Sequence, residues 1–368
     1  MKNILVFFGG CSVEHDVSVI TGVLTLNSLD KTIYCAIPIY VDYDGRWYTG
    51  EKLFDLDEYK NLQLKSLERV ATFAGDNNLY AIKKLKAKSK GAISCAINCM
   101  HGERGENGSL SGLLAMSNIP LVSPDILASS ISMDKSASKI FLAGLKIPAL
   151  PFLTVSSARE VEEIKLPFSF PIISKPNDGG SSIGIKKAID KKELISAVSY
   201  SLRYSDKAIL EPMLTDFIEI NCAGYKNKKG HVIVSPCEKP IGAEDILSFS
   251  DKYIKGKREF PAKIDVEISK EIQEYTKKIY NALNFKGTVR IDFFVKGKEV
   301  FVNEINSVPG SLAYYLFCNN LKEFSALLSE LIFVAEKEYA TSQTLTKKFS
   351  SSILSFEGSK GSKIKNKK

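Results

Sequence analysis

The 368 residues carry 50 Lys+Arg against 42 Asp+Glu, for a net charge of +8, with 44% hydrophobic and 25% charged residues. At roughly 100–200 residues per domain this length predicts two or three domains, and the composition is that of a soluble globular protein, which excludes a collagen, a coiled coil and a wholly disordered chain. No run reaches the ~18 consecutive apolar residues that a membrane-spanning helix needs.

The opening MKNILVFFGG lacks a small-residue cleavage site and reads as a first strand, not a signal peptide. Six of the eight net positive charges sit in residues 347–368. The body is therefore nearly neutral and offers no basic face for nucleic acid. The tail reads as basic, solvated and disordered. The seven cysteines, at positions 11, 35, 95, 99, 222, 237 and 318, contain no CxxC pair. They read as reduced packing thiols of a cytoplasmic chain, with no stable membrane insertion.

In chain order, residues 3–8 form a continuous apolar run that ends at Gly9-Gly10, which suits a buried parallel strand and a tight turn. Helical spacing follows over 13–29, then strands over 34–41 and 91–100, the last ending at His101-Gly102. Alternating strands and helices predict an open α/β sheet. Ligands of such sheets sit at the carboxyl ends of strands, where Glu14 and His101 both fall. After Val122, Ser123-Pro124 reads as a helix N-cap with Pro at the first position. One helix carrying SMDKSASK then runs up to Pro148.

Strands are expected over 151–155, 170–175 and 183–188, with Ser157 and Glu160 as a capping box. The loop from Pro176 to Ser182 makes the last two strands a glycine-rich hairpin flap. The final third has strands over 208–213, 217–225, 231–234, 288–295 and 299–305, and helices over 264–283 and 322–338. Four segments result: 1–122, 123–210, 211–346 and the tail 347–368.

The strongest local chemistry lies in GTVRIDFFVKGKEVFVNEIN, two strands joined by a turn at Gly297. Alternate residues share a strand face, so Arg290 and Asp292 point with Glu304 and Asn306. The expected register sets 290 opposite 304 and 292 opposite 302. Two carboxylates, a carboxamide and a guanidinium on one face need partners. The oxygen set suits Mg²⁺ with nucleotide phosphates, and the arginine suits a phosphoryl group.

The flap sequence DGGSSIG lets backbone N–H groups approach an anion. Lys135 and Lys175 flank it in sequence. Neither GxxxxGK[ST] nor GxGxxG occurs. The polar loops Glu14-His15-Asp16 and 101–108 could hold a zwitterionic small molecule, whereas His231 reads as a surface residue.

Taken together, GGCSVEHDVS, MHGERGENGSLSGLL, SMDKSASK, ISKPNDGGSSIGI, DKY, VRIDFF and NEINSVPGS resemble, in order and distance, the D-alanine–D-alanine ligases of the ATP-grasp superfamily. The resemblance implies an ATP-grasp fold, α+β overall, behind an N-terminal open α/β domain. It implies a homodimer that joins two D-amino acids for peptidoglycan synthesis through an acyl phosphate, using ATP and two Mg²⁺ ions, with Mn²⁺ as an alternative.

By the same resemblance Asp292, Glu304 and Asn306 hold the metals. Lys135, Lys175, Gly180, Ser181 and Ser182 meet the phosphates. Glu211 stands at the nucleotide hinge and Glu219 at the ribose. Arg290 and the Gly310 N–H stabilise the oxyanion. Glu14, with His101 nearby, takes the first ammonium. Ser181 and Tyr253 close the flap against Glu14, and Lys252 approaches the second substrate or the phosphate.

Two positions depart from the family pattern. Pro212 replaces a lysine after the hinge glutamate. Tyr315, before Leu316, replaces the serine of a Ser-Leu pair that grips the second carboxylate. The acceptor is therefore left open among D-alanine, D-serine, D-lactate and another amine. The intact Arg290, Asp292, Glu304 and Asn306 set disfavours a non-catalytic nucleotide-binding protein.

Overall fold

The structure, a computed structural model, describes residues 1–84, 86–241 and 257–351. The first sheet is built from β1 (Lys2–Gly9), β2 (Tyr34–Val41), β3 (Trp47–Thr49), β4 (Glu68–Phe73), β5 (Asp76–Lys83), β6 (Lys86–Ala92), β7 (Cys95–Asn98) and β8 (Leu121–Val122), in the order β6-β5-β4-β3-β2-β1-β7-β8. Central β1 is parallel to both β2 and β7, and its residues Ile4 to Phe8 are wholly buried. A strand flanked on both faces needs such an unbroken apolar run. Gly9 ends it at φ +86°, where a Cβ would stand 2.4 Å from the Val41 carbonyl oxygen. Helix α1 (His15–Ser28) follows, and α2 (Ser109–Met116) lies between β7 and β8.

The expected strand over 91–100 is corrected to two: β6 ends at Ala92 and β7 begins at Cys95. Strands β3 to β6 form an antiparallel extension that the sequence does not announce. The edge strand KAKSKGA is almost entirely exposed. Edge lysines discourage further strand pairing and erase the apolar alternation that would mark a strand.

The single helix expected from Ser123-Pro124 is also corrected. Asp125 caps α3 (Ile126–Met133), accepting from the Ala128 N–H at 3.1 Å. Asp134 then leaves helical geometry and caps α4 (Lys135–Gly144), accepting from the Ala137 N–H at 2.8 Å. A side-chain acceptor aimed at orphan N–H groups starts a helix; here two of them make two helices. The break sets Lys135 in the first turn of α4.

The second sheet comprises β9 (Leu153–Val155), β10 (Ile172–Pro176), β11 (Lys186–Ala188) and β12 (Ala208–Pro212), in the order β11-β10-β12-β9. The expected flap hairpin is present, with Ile172 opposite Ala188. Ser157 and Glu160 exchange hydrogen bonds at the start of α5 (Glu160–Glu163), and α6 (Lys191–Ser201) covers the sheet. The expected boundary after residue 210 falls inside β12.

The third sheet comprises β13 (Ile218–Lys226), β14 (Val232–Val234), β17 (Thr288–Lys296) and β18 (Glu299–Asn306), in the order β14-β13-β17-β18; β15 (Lys239–Pro240) and β16 (Arg258–Glu259) form a separate ribbon. Helix α7 (Val266–Ala282) buries Ile272, Thr276, Ile279 and Tyr280 against the third sheet, the spacing of one helix face.

Helix α8 (Leu321–Gln343) leaves that sheet. Its Phe324, Leu328 and Leu331 share one core with Ile4, Val6 and Phe8 of β1, and Val308 and Leu312 join them. Each such burial is worth roughly 1.5–3 kcal/mol. The segment after β18 is thereby fastened to the first sheet. The tail from residue 352 onward lies outside the described residues.

Candidate active site

A cleft opens between the second and third sheets. Its apolar walls include Ile173, Leu214, Phe217 and Phe294, and its polar lining includes Lys135, Lys175, Glu211, Glu219, Asp292 and Glu304. The Phe217 and Phe294 rings meet edge-on with centroids 4.6 Å apart. Glu211 is 2% exposed and lies 2.6 Å from the Lys175 ammonium and 2.8 Å from that of Lys139. Burial alone would raise its carboxyl, but the two ammoniums outweigh burial and hold it down to about 2. Burial lowers the Lys139 ammonium. Lys135 donates to the Gly179 carbonyl at 2.5 Å and stands 3.5 Å from Glu304. Gly180 and Ser182 line the same cleft. Expected nucleotide residues from four separate segments therefore meet in one place.

The β17–β18 hairpin forms its floor. The register differs from expectation: Arg290 faces Asn306 and Asp292 faces Glu304, with an irregularity between Asp292 and Phe293. Lys296 pairs with Glu299, so a two-residue turn starts the hairpin. Asn303 then enters as a bulge, shifting the pairing by one further residue. Cross-strand partners share a face, so the four polar side chains point together. Arg290 grips Asp292 with two bonds, of 2.7 and 2.9 Å. Burial alone would lower the guanidinium, and Asp292 reverses that, raising it well above its usual value.

The Asn306 amide nitrogen is buried with no hydrogen-bond partner among the described residues; turning the amide over presents its oxygen there instead. Two carboxylates and a carboxamide oxygen fit a hard divalent cation that also takes phosphate oxygens. Among the described residues no cluster of three His, Cys, Asp or Glu side chains offers a complete site of its own.

A second, smaller cavity adjoins the first. Glu14, Glu106, Glu304, Asn306 and Gly180 are among its lining. Buried Glu14, just before α1, accepts a short hydrogen bond from the Ser181 hydroxyl. The flap thus closes onto the first sheet, and a Cβ on Gly180 would stand 3.0 Å from Glu14 Oε1. Glu106 accepts from the Gly102 N–H at 2.8 Å and the Val308 N–H at 2.9 Å. Burial, then the charge of Glu14, pushes its carboxyl up to about 8. His101 is buried and bonds Thr21 Oγ1 at 2.9 Å; burial pulls the imidazole down to about 4. Neighbouring His15 is structural, held by the Gly10 carbonyl and Tyr40 and stacked on Tyr43.

Gly310 opens a short 3₁₀ segment running to Leu316. Ser311, Leu312 and Ala313 all have φ near +50°, which costs a non-glycine residue about 1–2 kcal/mol each. Such strain persists only where the surroundings over-determine it. Leu312 and Ala313 are buried, and the Ser311 N–H donates to Thr21 Oγ1 at 3.0 Å. The Tyr315 hydroxyl accepts from Arg290 Nη1 at 3.3 Å, and the Arg258 guanidinium lies 4.7 Å from its ring centroid. The Leu316 side chain is in a small apolar cluster with Ala223 and Ala313.

Lys252 and Tyr253 lie outside the described residues. Lys139 and Asn303 belong to the site without having been singled out, and Glu106, expected only as part of the polar loop 101–108, joins them. Lys139 carried a signal, since it stands one helical turn after Lys135. Asn303 reaches Lys175 at 3.4 Å only because the bulge turns it inward.

Residues 3–124 match the family described as D-ala D-ala ligase N-terminus, and residues 141–333 the one described as D-ala D-ala ligase C-terminus. The chain is 34% identical over 343 residues to the D-alanine--D-alanine ligase of Thermosipho melanesiensis, spanning 90% of this chain and 93% of that protein. To the protein of the same name from Helicobacter pylori strain J99 it is 33% identical, over 85% of this chain and 89% of that one. The crystal structure of the D-Alanine-D-Alanine Ligase from Helicobacter pylori aligns with a TM-score of 0.75 at 29% identity, covering 95% of this chain and 100% of that chain. The VanG D-Ala:D-Ser Ligase from Enterococcus faecalis aligns with a TM-score of 0.77 at 28% identity, covering 91% and 99%.

Proposed function

The chain belongs to the D-alanine–D-alanine ligase family, and from that premise we propose how its residues join two D-amino acids at the expense of ATP. The fold is an ATP-grasp fold, the activity is ATP-dependent ligation of D-alanine, and the product serves peptidoglycan synthesis. The observation that carries the mechanism is that Glu304 and Gly180 line both cavities. A nucleotide in the lysine-lined cleft and an amino acid in the carboxylate-lined pocket would meet there.

Glu14 receives the ammonium of the first D-amino acid and turns its carboxylate toward the Asp292–Glu304 face. A carboxylate oxygen attacks the γ-phosphorus, the bond to the β–γ bridging oxygen breaks, and ADP leaves. Lys135, Lys175 and the flap residues Gly180, Ser181 and Ser182 hold the phosphates and exclude water. Glu211 sits at the hinge and Glu219 at the ribose. Asp292, Glu304 and Asn306 would hold two Mg²⁺ ions, which when bound neutralise phosphate charge. The amine of the second substrate then attacks the acyl phosphate carbonyl. Arg290 and the Gly310 N–H stabilise the oxyanion, the nitrogen loses a proton, and phosphate departs. His101, Lys252 and Tyr253 complete the amino-acid side.

We place this enzyme in the cytoplasm as a homodimer, with domains over 1–122, 123–212 and 213–346; light scattering tests the dimer. The test of function is ADP release across pairs of amino acids with mass spectrometry of the product. D-alanine-dependent ADP and a D-alanyl dipeptide are expected. ADP release indifferent to D-alanine would overturn the reading.

Tyr315 favours a second reading, an acceptor other than D-alanine. Its hydroxyl meets Arg290, and its ring fills space that a serine would leave open. A buried carboxylate without a hydrogen-bond partner is enough to reject a substrate. On this reading Tyr315→Ser raises the use of D-alanine as acceptor. An unchanged rate leaves D-alanine in both sites.

A further inference from the structure

The strained segment that carries Gly310 belongs to the C-terminal part of the chain, yet the Val308–Ser311 stretch at its start is anchored by Glu106, from the loop after β7, and by Thr21 of α1. The Val308 N–H donates to Glu106. The Val308 backbone beside the His101 ring favours its protonated form, and burial outweighs that and keeps the ring neutral. The ring nitrogen Nε2 lies 2.9 Å from Thr21 Oγ1. The Ser311 N–H donates to that same Thr21 oxygen at 3.0 Å.

The protonation pattern follows from this geometry. With its proton on Nδ1, a neutral imidazole presents Nε2 as an acceptor. Thr21 donates its hydroxyl proton to Nε2, and its lone pairs then face the Ser311 N–H. Thr21 then donates to His101 and accepts from Ser311 with one hydroxyl. Thr21 is 1% exposed and His101 4%, so no water competes. Of the Val308–Ser311 stretch, with Gly310 inside it, the Val308 end is tied to Glu106 and the Ser311 end to this buried pair.

We infer that Thr21, oriented by His101, is a positioning residue that fixes the Gly310 backbone N–H where the oxyanion develops. It touches no substrate and acts only through the turn it holds. The inference rests on the proposed oxyanion role of Gly310. Preorganised donors gain their effect by not having to move during reaction, so a turn left free to relax from φ near +50° loses that effect while its residues remain.

The test compares Thr21→Val, which keeps the shape and removes both hydrogen bonds, with Thr21→Ser, which restores them. Thr21→Val is expected to lower kcat by between about tenfold and about a hundredfold, less than the ~10²–10³-fold seen for losing one such donor outright, because the Gly310 N–H remains and is only misplaced. The KM for ATP and the pre-steady-state burst of ADP should be retained, because acyl phosphate formation does not use this donor. Thr21→Ser should recover most of the rate. A melting curve of each variant separates misfolding from misplacement. Wild-type kcat in a folded Thr21→Val protein, or equal loss of the ADP burst and of dipeptide formation, would overturn the inference. A wild-type enzyme without D-alanine-dependent turnover would instead overturn the functional reading beneath it.

Discussion

The two cavities that share Glu304 handle buried carboxylates in opposite ways. On the nucleotide side Glu211 lies between two lysines and is held down to about 2. On the amino-acid side Glu106 lies near Glu14 and Glu304, with no lysine or arginine among the lining residues, and is pushed up to about 8. The residue type is the same and Glu106 is the less buried of the two, so the neighbouring charges set the opposite directions. The first arrangement leaves a cationic rim for a polyphosphate. The second collects negative charge where an ammonium is to be received. A chain that must bring an anion and a zwitterion together gains from keeping these two fields on either side of one hairpin.

Glu304 belongs to both sides, so its loss should be the most severe. Glu304→Ala is expected to cost ~10²-fold or more in turnover if a phosphoryl-bridging ion is lost, with the fold intact by circular dichroism. Near-normal turnover at saturating Mg²⁺ would remove the metal assignment. Next comes Glu211→Gln, which leaves Lys139 and Lys175 facing each other without a counter-charge. Breaking a buried pair costs about 3–5 kcal/mol, read by chemical denaturation. An ATP analogue should restore more stability to this variant than to the wild type, and D-alanine should restore none. Equal stabilisation of both by the analogue would show that the lysines do not face its phosphates.

Glu14→Gln is the counterpart on the other side. It removes a charge and keeps the shape. The KM for the first amino acid should rise by about tenfold, the equivalent of ~1.4 kcal/mol, while the KM for ATP holds. A loss confined to ATP would break the contrast between the cavities.

Much of this contrast was legible in the sequence, and the reason is periodicity. The Arg290, Asp292, Glu304 and Asn306 face was read correctly although the register was not. Expected pairing set 290 opposite 304; the two-residue turn and the Asn303 bulge set it opposite 306. The net slip is two residues, and a slip of two preserves the face. The flap hairpin was legible because its glycines interrupt two apolar runs. Residues whose role depends on distant partners were not. Thr21 reads as an ordinary helix residue until Ser311, 290 positions away, is placed beside it, and Glu106 meets Val308 across 202 positions. Strand β6 stayed hidden because an almost wholly exposed edge imposes no hydrophobic face, and β4 and β5 because they bury only Val70, Leu79 and Ala81.

The last expected effect lies in the pH dependence of stability, and it separates the two sides by sign. Glu211 is held below its unfolded value, about 4.5. Its contribution is complete above pH ~4.5 and is lost as pH falls toward 2. His101 adds to the acid side: depressed to about 4, it stays neutral while the unfolded chain takes up a proton, so stability falls from pH ~6.5 to 4. Glu106 acts in the other direction. Raised to about 8 and facing Glu14 and Glu304, it keeps its proton while the unfolded chain loses one. Stability therefore falls as pH rises from ~4.5 to 8, by at most about 1.4 kcal/mol per pH unit. Glu106→Gln keeps the shape and cannot ionise, so the slope between pH 5 and 8 should flatten while the acid limb stays. Glu211→Gln should do the reverse. Urea denaturation at pH 3, 5, 6.5 and 8 distinguishes these outcomes. An unchanged slope in Glu106→Gln would mean that Glu106 is already ionised in the folded protein, its charge met by the Gly102 and Val308 N–H groups, and that the amino-acid pocket carries more negative charge than its neighbours alone would allow.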